Sequence, residues 1–169
     1  KDPVDPTALE QAKAIIAELR PSGPSGPVDA GKLMEVAKRL GDVPSDHSGS
    51  LTVSKAECKA AYDSLAEGDR AALTRIHDRV KAFAEAQRRS VTDVEVDIPG
   101  GKAGHTVSPC AAAGCYAPGG RYPLPSSVVM TAVTARAAGC QTVVLASPRP
   151  APITLAAAHV SGADFFLRA

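Results

Sequence analysis

The sequence has few aromatic residues and almost no net charge. Its 169 residues include no Trp, only 4% are aromatic, and 19 Lys and Arg stand against 18 Asp and Glu. A protein that binds polyanions needs a basic surplus, so this balance argues against a nucleic-acid partner. A disordered tail needs low hydrophobicity and high net charge, and the 44% hydrophobic content excludes it. We therefore expect an aliphatic, alanine-rich core.

Long apolar runs and paired-cysteine motifs are also missing. The longest apolar run is far below the roughly 18–20 residues that span a bilayer, and no signal peptide is visible. Cys58, Cys110, Cys115 and Cys140 have wide gaps with no CxxC, so we interpret them as reduced thiols in a cytoplasmic or organelle-matrix protein. The chain starts at Lys1 rather than Met, which leaves open a removed leader or a fragment.

Charge divides the chain into two halves. Residues 1–90 carry 28 charged side chains, whereas residues 91–169 carry nine. The first half is typical of amphipathic helices with one wet face, and the second is typical of a segment buried on several sides. We predict a helical region over 1–90 and a separate α/β region over 91–169.

Capping patterns predict the helices of the first half. Thr7 and Ser54 each begin an S/T-x-x-E capping box, and Asp29 precedes a helix that Gly41 ends. Gly68-Asp69 is expected to break the chain before the longest helix, at about 70–88, whose apolar seam includes Phe83. This seam is too short for a coiled coil, so we expect a helix packed within the molecule.

The second half changes from helical to strand periodicity. Val94, Val96 and Ile98 alternate with acidic residues, which predicts a half-buried strand of a hairpin turning at Pro99 to Lys102. Apolar runs at 112–117, 141–147 and 163–167 alternate with helices that start near Ser126 and at Thr154. Strand, helix, strand, helix, strand is one βαβαβ unit, so the sequence predicts an α/β fold with a parallel sheet.

The loop after the first strand of this unit is the best candidate for a ligand site. Ligands of open α/β sheets bind at the carboxyl ends of the strands. There the sequence places Tyr116, Pro118, Gly119, Gly120 and Arg121, which combine a ring, a flexible backbone and a fixed cation. This loop is neither GxGxxG nor a Walker loop. An ordinary βα turn with a packed tyrosine is therefore the competing interpretation.

The segment AGCYAPGGRYPLPSSVVMTAVTARAAGCQTVVLASPRP resembles the histidinol dehydrogenase family. The resemblance extends over roughly residues 28–169 and rests on a small set of positions. These are Tyr116, Pro118-Gly119-Gly120, Pro125-Ser126-Ser127, Met130, Ala135-Arg136-Ala137-Ala138-Gly139 and Ser147-Pro148.

The resemblance implies a zinc-dependent, NAD-linked alcohol dehydrogenase. Members oxidise L-histidinol to L-histidine, or other small polar alcohols, on incomplete Rossmann-like domains in intertwined homodimers. Residues 91–169 would then be the first half of an NAD-binding domain, with Tyr116 as a cofactor contact. The function it implies is histidine biosynthesis or a related oxidation, located in the plastid if the source is a plant or alga.

The family's zinc ligands and acid/base pair are expected beyond Ala169. The four histidines, His47, His77, His105 and His159, fall in four separate elements with no metal-ligand spacing. We therefore assign no catalytic or metal-binding residue to this segment, and we expect neither NAD nor zinc to bind it tightly alone. Cys115 is expected to be a small buried thiol.

Three functions remain open at this point. In the first, the chain is the N-terminal part of a histidinol dehydrogenase-like enzyme. The metal ligands and the acid/base pair then come from absent sequence and a partner subunit. Alternatively, it is a non-catalytic structural or interaction subunit that reuses half of this fold. In that case the strand at 163–167 would be an open sheet edge needing cover from another chain. A third reading, an independent nucleotide-binding module, lacks both GxGxxG and an acidic ribose partner.

Overall fold

The computed structural model describes residues 5–20, 26, 28–119 and 122–168. The chain divides into two compact units, Lys1–Leu51 and Thr52–Ala169. The predicted division at residue 90 was based on composition and stays a prediction. In the structure the boundary between the compact units lies after Leu51, because the helices that follow Leu51 pack on the helices that connect the strands of the sheet. None of the described helices is long and apolar enough to cross a membrane.

The first unit contains helices α1 (Pro6–Leu19) and α2 (Ala30–Leu40). The Asp5 side chain caps α1 by accepting from the Thr7 N–H, so the capping box predicted at Thr7 is wrong and the helix begins earlier. Asp29 caps α2, and Gly41 ends it in a left-handed conformation, as predicted. Ala37, Val43 and Leu51 form a small apolar cluster in this unit.

The described residues of the second unit form four helices and six strands. The helices are α3 (Lys55–Asp63), α4 (Glu67–Arg89), α5 (Pro125–Ala137) and α6 (Pro152–Val160). The strands are β1 (Thr52–Val53), β2 (Val94–Ile98), β3 (Gly101–His105), β4 (Ala112–Tyr116), β5 (Thr142–Ala146) and β6 (Phe165–Leu167).

The predicted βαβαβ unit is confirmed. Strands β4, β5 and β6 are parallel neighbours in one sheet, with Cys115 opposite Leu145 and Leu145 opposite Phe166. Helices α5 and α6 connect them and contact each other. The fold is therefore α/β, with a helical N-terminal region followed by an incomplete Rossmann-like parallel sheet.

The prediction of an open edge at 163–167 is wrong. Strand β1 pairs antiparallel with β6, with Thr52 opposite Leu167 and Val53 opposite Phe166. The sheet order is β1-β6-β5-β4, so β6 is an interior strand. Two residues were too short a strand to recognise in the sequence, and their partners lie more than 100 positions away.

Only one face of this sheet is covered by the described residues. Cys115, Val143, Leu145 and Phe166 lie on the covered face and are all less than 10% exposed. The neighbouring positions, on the opposite face, are half-buried or exposed. They are Ala112, Gly114, Tyr116, Thr142, Val144, Ala146, Phe165 and Leu167. Parallel sheets are normally covered on both faces, so the second face is an apolar surface that lacks its usual layer.

Helices α3 and α4 pack beneath α5 and α6. The capping box at Ser54 is confirmed, because Ser54 and Glu57 bond each other's backbone N–H. Helix α4 begins at Glu67, so Gly68 lies in its first turn instead of breaking the chain. The helix packs against α5 within the molecule, as predicted. The buried side of this helix differs from the predicted one, however, since Ala84 is buried while Phe83, predicted to lie in the apolar seam, is 67% exposed.

The predicted hairpin is present, but its predicted burial is wrong. Strands β2 and β3 pair with Ile98 opposite Gly101, so the return strand starts at Gly101 and the turn is Pro99-Gly100. All ten strand residues are exposed. Alternation along β2 does place three apolar side chains on one face, yet no described element packs on them.

A charged network joins the loops that precede β5 and β6. Arg136, near the end of α5, donates to the carbonyl oxygens of Gln141 and Gly162, and it pairs with the Asp164 carboxylate. Asp164 also accepts from the Val143 N–H at 2.9 Å. This backbone hydrogen bond, followed by the Arg136 pairing, holds the pKa of Asp164 below its usual range. The network fixes the start of β5 relative to β6.

We expect Asp164→Ala to lower the free energy of unfolding by about 1–3 kcal/mol near pH 7, because Arg136 and the Val143 N–H lose a charged acceptor. The folded-state pKa lies below the unfolded value of about 3.9, so this contribution is complete above that value and is lost as the pH falls through the folded-state pKa. Thermal unfolding followed by circular dichroism should show a gap between parent and variant that is constant from about pH 5 to 7 and narrows on acidification.

Asp97→Ala is the matched control, because Asp97 lies on the exposed hairpin, 4.0 Å from Lys102. It should leave the melting temperature almost unchanged. An equally small effect of Asp164→Ala would show that the network does not stabilise the sheet.

Candidate functional site

The carboxyl ends of β4 and β5 meet in a small cleft. Tyr116 and Ala146 are paired at these ends, and the loops that follow them form a cavity of about 120 Å³. Its lining is Pro118, Gly119, Tyr122, Pro123, Ser147, Pro148, Arg149, Pro150, Ala151 and Thr154. Ligand pockets usually measure about 300–1,000 Å³, so the cleft has room for one small group of a ligand.

The helices that follow these two strands have uncapped N-termini. Helix α5 starts after Leu124 and α6 after Ala151, and neither has a side-chain cap or an acidic residue in its first turn. The predicted start near Ser126 agrees to within one residue, and the predicted start at Thr154 is two residues late, because Pro125 and Pro152 occupy the first helical positions. Helix N-termini favour anions. The first turns of both helices therefore leave positive potential without a carboxylate to neutralise it.

Pro118 and Gly119 line the cleft, but Tyr116 lies outside its lining. Tyr116 is the last residue of β4, on the uncovered face of the sheet, and it is 57% exposed. A ring at this position is free to stack on a planar group. The other two predicted site residues, Gly120 and Arg121, lie outside the described residues.

Gly119 has a structural reason to be glycine. A Cβ at this position would lie 2.6 Å from Pro148 Cγ and 2.7 Å from the Pro148 carbonyl oxygen. The two strand-ending loops therefore touch here, and only glycine allows the contact. The sequence predicts that the glycines let a ligand approach, but the neighbour of Gly119 in the structure is the loop that carries Pro148.

Arg149, which no sequence motif singled out, is the one charged residue among the described residues that line the cleft. Its φ of 45° lies in the left-handed region, which costs about 1–2 kcal/mol for a residue with a Cβ. No other described residue forms an ion pair with Arg149, so no described carboxylate neutralises its cation. The SPRPAP segment directly after a buried strand was the signal that could have drawn attention to it.

A larger cavity, of about 360 Å³, lies between α3 and α6. It is mostly apolar, with Lys55, Lys59 and Asp164 as its charged residues. This cavity opens near Gly162 and Asp164, at the amino end of β6. Active sites of open α/β sheets lie at the opposite ends of the strands, so we place the candidate site at the smaller cleft.

Three of the histidines contact three different partners. His105 Nε2 lies 3.1 Å from the Thr92 carbonyl oxygen, and His77 Nδ1 lies 2.9 Å from the Asp78 carboxylate. The ring of His159 packs on Tyr62 at a centroid distance of 5.4 Å. In the described part of the chain, no group of three or more His, Cys, Asp or Glu could hold a metal ion. The described residues therefore do not fit zinc.

The parallel sheet, its crossover helices and the cation-lined cleft define an incomplete Rossmann-like unit. The family model described as histidinol dehydrogenase matches residues 4–169, so the chain belongs to the histidinol dehydrogenase family. The expectation drawn from the Tyr116 to Pro148 segment is confirmed.

Individual relatives agree with the family match. The chain is 37% identical over 161 residues to a sulfopropanediol 3-dehydrogenase from Ruegeria pomeroyi, covering 92% of this chain and 35% of that protein. It is 38% identical over 136 residues to a histidinol dehydrogenase from Aromatoleum aromaticum, covering 78% of this chain and 31% of that protein.

The fold is also found in a solved structure. The crystal structure of histidinol dehydrogenase from Elizabethkingia anophelis matches with a TM-score of 0.78 and 19% identity, covering 100% of this chain and 37% of that one. The chain thus spans about a third of the length of these relatives.

We expect Gly119→Ala to destabilise the second unit by about 1–3 kcal/mol, because the new methyl group in the loop after β4 collides with Pro148 in the loop after β5. Gly114→Ala is the control from the same strand and loop segment, since a Cβ there meets nothing within 4 Å. Chemical unfolding of both variants tests this. Equal midpoints for the two variants would contradict the loop contact.

Proposed function

We propose that this chain forms part of an NAD-linked oxidoreductase that acts on a small polar alcohol. The match to the histidinol dehydrogenase family over residues 4–169 carries the proposal. The relatives include proteins named histidinol dehydrogenase and sulfopropanediol 3-dehydrogenase. L-Histidinol is the first candidate substrate, and sulfopropanediol is the second.

The NAD site that we propose comprises Tyr116, Pro118, Gly119, Gly120 and Arg121, together with Arg149. The chemistry of the described residues suits a dinucleotide. The cleft offers the Arg149 cation, lies beside two uncapped helix N-termini and has no carboxylate among its described lining residues. A pyrophosphate is dianionic and is favoured by such surroundings.

Each of these residues would bind or orient the cofactor. Arg149 would neutralise a phosphate, and the Tyr116 ring would stack on a planar group from the uncovered face. When bound, NAD would accept a hydride from the alcohol. The cleft is too small for a whole dinucleotide, so the remainder of the site must come from other polypeptide.

Zinc belongs to the proposal only for the longer enzyme. No described cluster of His, Cys, Asp or Glu fits it, and we derive no step through it. We propose that polypeptide outside the described residues supplies the metal ligands and the acid/base pair. We also propose that the longer enzyme has a partner subunit in a homodimer.

The second face of the sheet supports the need for additional polypeptide. Tyr116 and Phe165 on that face are both more than half exposed. We propose that the rest of the enzyme or its partner covers this face. This replaces the predicted contact at the 163–167 edge, which β1 occupies. The alternative of an interaction subunit was based on that edge and loses its main argument.

The substrate is tested with a polypeptide of the relatives' length that includes this chain. NADH formation should be measured with L-histidinol and with sulfopropanediol, both with and without added zinc. We expect NAD-dependent oxidation of one of them. Failure with both alcohols, in a folded protein that contains zinc, would contradict the proposed function.

Tyr116→Ala and Arg149→Ala should each raise the KM for NAD in that enzyme, by about tenfold for the loss of one charged or stacking contact, with a smaller fall in kcat. Tyr116→Phe keeps the ring and should keep the KM if stacking is the contact. Arg75→Ala, on the exposed side of α4, is the control for removing an arginine. An unchanged KM would remove the substituted residue from the site.

The 169-residue chain alone should bind NAD very weakly, because the cleft surrounds only one small group of the cofactor. Titration calorimetry should detect no binding at micromolar NAD. A Kd in the micromolar range would mean that the described residues form a complete site.

A further inference from the structure

Two cysteines lie side by side at the amino ends of β4 and β5. Cys110 comes two residues before β4, and Cys140 comes two residues before β5. The parallel register pairs Ala112 with Thr142. If this register continues back by two residues, it places Cys110 opposite Cys140, although the two are 30 positions apart in the sequence.

Contacts on both sides of the pair support this placement. After it, the Ala111 carbonyl oxygen accepts from the N–H groups of Gln141 and Thr142, each at 3.1 Å. Before it, the Cβ position of Gly139 lies 3.1 Å from Pro109 Cβ. The backbone segments around the two cysteines therefore run alongside each other. A disulfide requires Cα atoms about 4.4–6.8 Å apart, and neighbouring strands of a sheet lie about 4.8 Å apart.

Both thiols are accessible from the same cavity. Cys110 is exposed and Cys140 is half-buried, and both line a cavity of about 440 Å³ beside the end of α4. The remaining cysteines differ, because Cys58 and Cys115 are buried. Burial also raises the pKa of the Cys58 thiol, which disfavours its reactive thiolate.

One partner is held in place and the other lies in a loop. The backbone of Cys140 is fixed at both polar groups, since its N–H donates to the Ala135 carbonyl and its carbonyl accepts from Arg136. Cys110 lies in the stretch between β3 and β4, outside any helix or strand. Movement that brings the sulfurs together therefore falls on this stretch, while the hydrogen bonds of Cys140 and the sheet stay in place.

We propose that Cys110 and Cys140 are a thiol pair that forms an intramolecular disulfide when the chain meets a disulfide oxidant. With oxidised glutathione, the thiolate of one cysteine attacks a glutathione sulfur, breaks its S–S bond and releases one glutathione thiolate. The second cysteine thiolate then attacks the mixed disulfide and releases the other glutathione. The protein loses two electrons and two protons, and one oxidised glutathione becomes two reduced ones.

The disulfide would join the starts of two neighbouring strands at the end opposite the candidate cleft. It would close a loop that contains β4, its following loop and α5, which restricts the unfolded chain. Oxidation would therefore stabilise the sheet without occupying the cleft. This inference is independent of the proposed function, because it requires neither NAD nor an alcohol.

The test treats the folded 169-residue chain with oxidised glutathione and maps its peptides by mass spectrometry without reduction. We expect the intact chain to lose the mass of two hydrogens and to contain one cross-link, between Cys110 and Cys140. The melting temperature should rise by about 5–10 °C and return on reduction.

Matched serine variants identify the linked cysteines. Cys110→Ser and Cys140→Ser should each lose the cross-link and the rise in melting temperature. Cys115→Ser, which removes the other cysteine of the β4 segment, should keep both. The chain unfolded in urea should give mixed pairings that include Cys58.

Three results would overturn the proposal. One is a stable glutathione adduct on Cys110 with no cross-link. Another is a folded chain that does not react. The third is a cross-link that persists in Cys110→Ser.

Discussion

The ion pair between Arg136 and Asp164 is the interaction on which the sheet of this protein depends. Arg136 binds carbonyl oxygens in the loops before β5 and β6, and Asp164 accepts a hydrogen bond from the backbone N–H of Val143 in β5. The amino ends of two strands are thereby held at one level. Since parallel register is continuous, fixing these ends also fixes where the same strands finish. The same network therefore fixes the level at which β5 ends, and the loop after β5 forms one side of the candidate cleft.

The sheet has one covered face and one uncovered face, and this asymmetry connects the fold to the proposed activity. Cys115 and Leu145 are buried beneath α5 and α6, whereas Tyr116, the next residue along β4, is exposed on the other side. The cleft adds the Arg149 cation and two helix N-termini to this ring. These are the elements of the dinucleotide site that we propose, in a space too small for a whole dinucleotide. A chain that spans about a third of its relatives' length is consistent with a partial site.

Local signals predicted much of the fold because they act over a few residues. Asp29 and Ser54 cap their helices as expected, since a cap requires only a side chain and the next turn. The β-branched run around Val143 predicted a buried parallel strand, because a continuous apolar run is also a signal that acts over a few residues. Burial of the hairpin was predicted wrongly, because alternation at Val96 specifies two faces but does not specify a neighbour for either. The resemblance of the segment around Tyr116 identified the family, which periodicity alone does not do.

The sequence by itself determined the order of the elements other than β1, the parallel βαβαβ unit, the family and the loop at Pro118 and Gly119. The tertiary structure alone decided that β1 covers the edge of β6, that Gly119 contacts Pro148 and that Arg149 lines the cleft. Caps and periodicity are encoded within one or two turns or strands. Contacts such as Val53 with Phe166 join residues far apart in the chain, and no local pattern specifies them. They arise only when the packed helices and strands bring distant segments together.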